Sequence, residues 1–515
     1  MFEAMFLGGL LRVIQALAAA APTILIGLLV AATLRRLFGH AATRRMFGAG
    51  TWRELPQAWL IGMLLPVCSL GAIPVAREMR RAGISGGTIL AFAMTAPLFN
   101  PLSLLYGLTL SNPVVLLAFS LCSLLIVTVV GAAWDWFFPG TAKAEDPPPR
   151  PVAPGLSRMA ALLLYMVRQL AGSSLGYLAI ALLGVVLLNV VLPVGAMQTV
   201  VEQDNPWAPL IMTAVAIPAY ATPMTAMGQL GMMFNHGNSI GAAFALLVFG
   251  AGLNLGLLAW MARTYGGRRS AAWMLILLAV VIGLAYGVDR PLRPHDVEPA
   301  GHTHAFDIYC CPFHHQGQDC WQKFNSTLSE EITREQRWGL ALLGTMLAIG
   351  VVLQIFDPQQ RLERWLETPR RIGRFDWYLP GPVLGGIWLA ILIGLSIGGS
   401  FVYYPAPDQC FLAMEFHKAE TVSGGLGFRR HETDRGIPLL DDWTRRLQVG
   451  VYLRQGRVSD YQRMKARVFL NKLELLQHAM DDPLHRQEAA QLALAVDLAH
   501  IRMKRAFGVG SQAPE

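Results

Sequence analysis

The chain has 515 residues, 54% of them hydrophobic and only 15% charged, with a formal net charge of +8 and a mean hydropathy of +0.42. Soluble domains carry about 25% charged residues, so this composition excludes an ordinary soluble enzyme and points to an all-α polytopic membrane protein. The basic excess then bears on topology and on anionic lipid heads, and nucleic acid is not expected as a partner.

In chain order, residues 7–34, 88–110, 113–137, 174–193, 240–261, 271–288, 338–356 and 380–401 are apolar stretches near the roughly 20 residues that span hydrocarbon. The first reads as a retained helix, because Glu3 stands near its start, no Lys or Arg precedes Arg12, and the apolar run continues past the alanines at 18–21. Residues 60–76 are shorter and interrupted by Pro66, Gly71 and Pro74; residues 207–227 are interrupted by Pro218 and Pro223. In lipid a broken backbone leaves N–H and C=O groups that cost several kcal/mol each unless protein or a water-filled cavity satisfies them. Paired breaks in two halves of a chain point to a transporter's midplane site.

The halves resemble one another. With Gly83 laid on Gly237, Ser85 falls on Ser239, Gly87 on Gly241, Ala91 on Ala245 and Asn100 on Asn254; upstream, a two-residue gap brings Pro66 onto Pro218. An internal repeat is therefore expected.

Arginine sets the sidedness. Arg35, Arg36, Arg44, Arg45 and Arg53 follow the first span, and Arg77, Arg80 and Arg81 follow the first break. Both sets stay cytoplasmic if 60–76 dips into the bilayer and returns. The expected architecture is about eight spanning helices plus two re-entrant or broken helices in an inverted repeat; the rival reading lets both broken segments cross fully as discontinuous helices. Residues 1–140 form repeat one, 141–170 a Pro-rich cytoplasmic linker and 171–290 repeat two. Residues 291–337 form an extracytoplasmic Cys/His-rich loop, 338–401 two additional helices, and 402–515 a helical extramembrane tail with a hairpin break near 481–483.

Candidate substrate-binding residues cluster at the breaks: Cys68, Ser69, Gly71, Pro74 and Asn100 in one copy, and Pro218, Tyr220, Thr222, Pro223 and Asn254 in the other. The prolines and glycine free backbone groups to line a cavity. Cys68 is either a soft ligand or a small buried residue. The hydroxyls of Ser69, Tyr220, Thr222 and Thr225 are neutral. The two asparagines bond the broken backbone or the substrate, or join helices as polar contacts. No Asp, Glu, Lys or His falls within either broken segment, so a proton relay has no obvious carrier there. No P-loop occurs, and no residue reads as catalytic.

Residues 302–320 hold four His and three Cys, namely His302, His304, Cys310, Cys311, His314, His315 and Cys320. His-x-His and Cys-x-x-His spacings suit zinc or copper. An extracytoplasmic position favours disulfides instead, with Cys410 as a fourth partner. Both readings stand at this point.

The segment 68–101, CSLGAIPVAREMRRAG followed by AFAMTAPLFNP, resembles the signature of the bacterial predicted-permease family that includes organoarsenical efflux permeases. That signature is a Cys-Ser-Cys-Gly-x-x-Pro-like stretch, a Gly-rich link and a helix ending near Asn-Pro. Cys68, Ser69, Gly71, Pro74, Asn100 and Pro101 match it, while Leu70 stands where the second cysteine would be. The resemblance covers roughly the first 290 residues. It implies a permease of the cytoplasmic membrane, working by alternating access on a small-molecule or ionic substrate. Efflux of a metalloid or organoarsenical is the implied activity, and assembly as a homo-oligomer is compatible with it. The missing cysteine removes one of the thiolates a thiophilic arsenical would take. A second functional class is a membrane-bound metal-binding or metal-sensing protein that uses the 302–320 loop.

Overall fold

The computed structural model describes residues 2–110, 113–139, 156–193, 195–294, 303–313, 320–367, 379–480 and 483–509, and no strand occurs among them. The first copy runs α1 (Phe2–Thr33), a π turn (Leu34–Phe38), α2 (Gly39–Met46), α3 (Glu54–Leu64), α4 (Ser69–Arg81), α5 (Gly86–Thr95), α6 (Pro101–Leu110) and α7 (Pro113–Phe137). The second runs α8 (Leu156–Gln169), α9 (Leu175–Val191), α10 (Ala208–Ala216), α11 (Pro223–Asn235), α12 (Ile240–Ala245) with a π turn (Leu246–Ala251), α13 (Leu255–Tyr265) and α14 (Gly267–Asp289). The starts of α1, α3, α4, α5, α6 and α7 are each matched 154 positions later by those of α8, α10, α11, α12, α13 and α14.

Local chemistry explains the coincidence, because each half-helix start needs a side chain to accept an orphan N–H. Cys68 and Thr222 cap α4 and α11, and Ser85 and Ser239 cap α5 and α12. Asn100 Oδ1 accepts from Ser103 N and Asn254 Oδ1 from Leu257 N, each at 2.8 Å. Gly83 (φ 76) and Gly237 (φ 62) take the left-handed backbone before the Ser caps, where glycine avoids a Cβ clash. Asp135 at the end of α7 accepts from Ser85 Oγ and Gly87 N, both at 2.9 Å. Asp289 at the end of α14 does the same for Ser239 Oγ (2.7 Å) and Gly241 N (2.9 Å). Upstream the offset holds without the expected two-residue gap, so Cys68 stands opposite Thr222 and Pro66 opposite Tyr220.

Two expected spans are not continuous. Residues 88–110 divide into α5 and α6, and 240–261 bends by 60° between Ile240–Ala251 and Leu255–Tyr265. Pro101 cannot donate to the preceding turn, and the asparagine caps start a new helix at each break. Among the described residues, five helices are by length and composition apolar and long enough to cross a membrane: Glu3–Met46, Pro113–Phe137, Gly267–Asp289, Arg334–Phe356 and Gly381–Tyr403. The count rises to seven if each of two bent pairs is one span, against the eight expected. Residues 156–169, expected in a linker, form α8; the rest of the Pro-rich stretch, 140–155, lies outside the described residues.

Beyond the repeats come α15 (Cys320–Glu331), α16 (Arg334–Phe356), α17 (Arg361–Leu366) and α18 (Gly381–Tyr403). The chain divides into two compact units, Met1–Leu104 with Val114–Leu395, and Leu105–Pro113 with Ser396–Glu515. In the first, Ala20, Ile24, Leu28 and Ala32 recur at the four-residue spacing that lines one helix face. They share a buried cluster with Cys68, Leu70, Ala181, Val185 and Tyr220. The second unit contains α19 (Pro407–Gly427), α20 (Arg430–Gln455), α21 (Asp460–Ala479) and α22 (Arg486–Ala506), a helical tail as the apolar spacing implies. Cys410, expected as a disulfide partner, is instead a free thiol, fully buried among Phe411, Met414 and Leu447, where a small apolar residue belongs. Of the expected hairpin break, 481–482 lie outside the described residues and Pro483–His485 form a 3-10 turn.

Candidate functional site

The first break in each copy brings the two repeats together. Cys68 and Tyr220 lie in the same buried cluster, and the Tyr220 hydroxyl oxygen is buried with no hydrogen-bond partner. The unwound backbone at 217–222 is partly satisfied across the fold, since Ala221 N donates to Gly250 O at 3.0 Å. Beside this junction is a cavity of about 220 Å³ whose wall includes Arg12, Gln15, Tyr220, Thr222, Thr225 and Tyr309.

The sequence-derived candidates divide by what they touch. Tyr220 and Thr222 line the cavity. Ser69 is fully buried and its hydroxyl has no hydrogen-bond partner. Gly71 allows α1 to approach α4, because a Cβ built on it would sit 2.7 Å from Thr23 O, and Gly27 does so too, its Cβ falling 2.3 Å from Gly71 O. Pro218 lies as close to α9, its carbonyl 2.1 Å from where a Gly184 Cβ would stand. Pro74 lies inside α4, where it removes one backbone donor, and Pro223 opens α11, a position where its missing N–H costs nothing. Asn100 and Asn254 act as caps and not as contacts between helices.

Sequence reasoning did not single out Arg12, Gln15, Gln229 or Tyr309. Arg12 Nε donates to Cys310 O (3.0 Å), Nη2 to Asp307 O (2.8 Å) and Nη1 to Gln15 Oε1 (3.0 Å). Gln229 Nε2 donates to Ala305 O at 2.8 Å, and Tyr309 Oη donates to Gln229 Oε1 at 3.3 Å. Residues 303–313 are thereby tied to both α1 and α11 over the cavity. The available signal was Arg12 itself, a cation inside an apolar stretch, which marks a functional position by default.

Another buried charge follows the first broken segment. Glu78, 3% exposed, accepts from Arg81 Nη1 at 2.7 Å and from the Tyr165 hydroxyl, with Arg35 Nε 3.9 Å away. It links the last turns of α4 to α8 and to the π turn after α1.

In the Cys/His tract, His304 Nδ1 meets Asp307 Oδ2 at 2.8 Å. Cys310 Sγ donates to Pro193 O and Phe306 O, both at 3.6 Å, while Cys311 Sγ donates to Ala4 O at 3.6 Å. Burial, then the nearby Asp307 carboxylate, pushes the Cys310 thiol up to about 11, which keeps it protonated at neutral pH. Cys311 and Cys320 pack against Leu7, Leu11, Phe313 and Phe324, and all three cysteines are free thiols. His302, His314 and His315 lie outside the described residues.

A family model described as a predicted permease, ArsP_1, matches residues 8–288, the stretch holding both copies and their breaks. The chain belongs to this predicted-permease family. The permease is therefore a multi-pass membrane protein in contact with a lipid bilayer. It is also 30% identical over 91 residues to the UPF0718 protein YcgR of Bacillus subtilis (strain 168), a match covering 18% of this chain and 31% of that protein. The permease thus spans about a third of the length of that curated relative. No solved structure matches it.

Proposed function

We propose that this permease moves a small solute across the cytoplasmic membrane by alternating access about the breaks at 65–68 and 217–222. The observation that carries the reading is the junction of Cys68 with Tyr220 beside a cavity, built where two equivalent half-helices begin. If the copies enter from opposite faces, as the arginine distribution supports, rocking one against the other exposes this junction to each side in turn. The 303–313 loop would then close one side, and the Glu78–Arg81–Tyr165 contacts the other.

The family resemblance extends the reading to efflux of a metalloid or organoarsenical, with Cys68 as the thiol such a solute would meet. The test is accumulation of methylarsenite, arsenite, zinc and copper in a sensitised bacterial host. It compares the intact chain with Cys68→Ser and with a chain lacking 302–320. Lower accumulation of one toxicant, lost in Cys68→Ser, is expected; unchanged accumulation of every toxicant would remove the metalloid assignment. Cys310 and Cys311 direct their thiols to separate backbone carbonyls, an arrangement that lends the metal-sensing reading of the loop no support from these two cysteines.

A further inference from the structure

We infer that the cavity beside Tyr220 recognises the oxygen-bearing, anionic end of its solute, a carboxylate or a tetrahedral oxyanion. The inference deepens the transport reading and rests on it.

Its chemistry comes from three directions. The 13-residue helix α11 begins at the wall: its cap Thr222 and Thr225 in its first turn both line the space. The positive end of the helix dipole therefore faces the cavity, although Pro223 offers no N–H and Thr225 N is already taken by Thr222 Oγ1. Tyr220, 4% exposed, puts its ring on the wall while its hydroxyl oxygen is sealed from the space, so the hydroxyls offered to a solute are those of Thr222 and Thr225. The Arg12 guanidinium completes the wall, oriented by the carbonyls of Asp307 and Cys310. A guanidinium suits carboxylates and oxyanions alike.

The wall disfavours the other solute classes. Among its described residues there is no Asp or Glu to balance a cation, and no cysteine to hold a thiophilic atom, since Cys68 is not part of it. The volume of about 220 Å³ falls below the roughly 300–1,000 Å³ of drug-sized sites, so the solute is small. The start of α4 reaches the same junction through Cys68, and the buried hydroxyl of Ser69 behind it also has no partner.

The test is calorimetric titration of the full-length chain in detergent with acetate, methylphosphonate, acetamide, methylammonium and methylarsenite. Acetate or methylphosphonate is expected to bind at least tenfold more tightly than acetamide or methylammonium, the tighter anion naming carboxylate or oxyanion as the source. Arg12→Gln and Thr225→Val should each weaken the anion, Arg12→Gln about tenfold, and Arg12→Lys should recover part of the loss. Thr225→Val keeps the side-chain shape, so it reads the hydroxyl even if Arg12→Gln loosens the 303–313 loop. Equal binding of acetate and acetamide, or anion binding indifferent to both Arg12→Gln and Thr225→Val, overturns the inference. Methylarsenite binding that needs Cys68 but neither Arg12 nor the Thr225 hydroxyl overturns it while leaving transport standing. Anion binding with the expected variant pattern, but no flux of that anion into proteoliposomes, supports the recognition and sinks the transport reading.

Discussion

Burial of His500 should make the tail acid-sensitive. Its ring is fully buried between Phe411 and Phe469, with centroids 5.5 and 5.7 Å away, and neither ring nitrogen has a hydrogen-bond partner. Burial, and then the nearby Lys418 cation, hold its pKa down to about 4 from 6.5; Glu415 pulls the other way, followed by smaller opposed effects of Lys504 and Asp497. In the unfolded tail the same imidazole titrates near 6.5. Between pH 6.5 and 4 the unfolded state binds a proton that the folded state refuses, so stability falls as pH falls through that window. The loss is about 2 kcal/mol at pH 5 and about 3 kcal/mol below pH 4. Hydrogen exchange of α21 and α22 peptides in the full-length chain, corrected for intrinsic exchange rates, reads it directly. Going from pH 7 to pH 5, wild-type opening free energies should drop by about 2 kcal/mol more than those of His500→Leu. An equal drop in both proteins would refute the reasoning.

Other perturbations follow from the repeat. Cys68 Sγ caps Gly71 N through a long 3.4 Å contact, so Cys68→Ser should keep the cap and stay within about 1 kcal/mol of wild type, while Cys68→Ala loses about 1 kcal/mol; equal thermal unfolding of the two variants would contradict this. Gly184→Ala drives a Cβ to 2.1 Å from Pro218 O, a backbone atom that has to move, at a cost of about 1–3 kcal/mol. Gly283→Ala, with open space around it, serves as the control, and a Gly184→Ala protein as heat-stable as that control would contradict the packing. Glu78→Gln leaves Arg81 and Arg35 beside a neutral group and should destabilise the chain by about 3 kcal/mol, measured as a lowered unfolding temperature in detergent; an unchanged temperature would show that the pairing is not stabilising.

The repeat was readable in the sequence where geometry dictates residue type. A left-handed turn selects Gly at 83 and 237, and helix caps select Ser at 85 and 239 and Asn at 100 and 254. It was misaligned upstream because prolines matched by identity, whereas Cys68 and Thr222 perform one capping role with different side chains. Residues 88–110 and 240–261 read as single spans because hydropathy averages over a window and passes across a cap. Arg12, Gln229 and Tyr309 gave no combined signal, since Arg12 meets its loop acceptors across 298 and 295 positions of sequence. The 302–320 tract drew attention through its cysteines and histidines, yet its contacts with α1 and α11 run through backbone carbonyls and a tyrosine.

Alternating access at the junction is tested most directly by the reactivity of one lining residue from the two sides of the membrane. Thr225→Cys, in a chain that keeps the buried Cys68 but has its other five cysteines replaced by serine, would be exposed to a membrane-impermeant thiol reagent in sealed vesicles of either orientation, with the same chain carrying Thr225 as the control. The account predicts labelling from both faces. Labelling from one face alone, with the other inert under every condition, would contradict it.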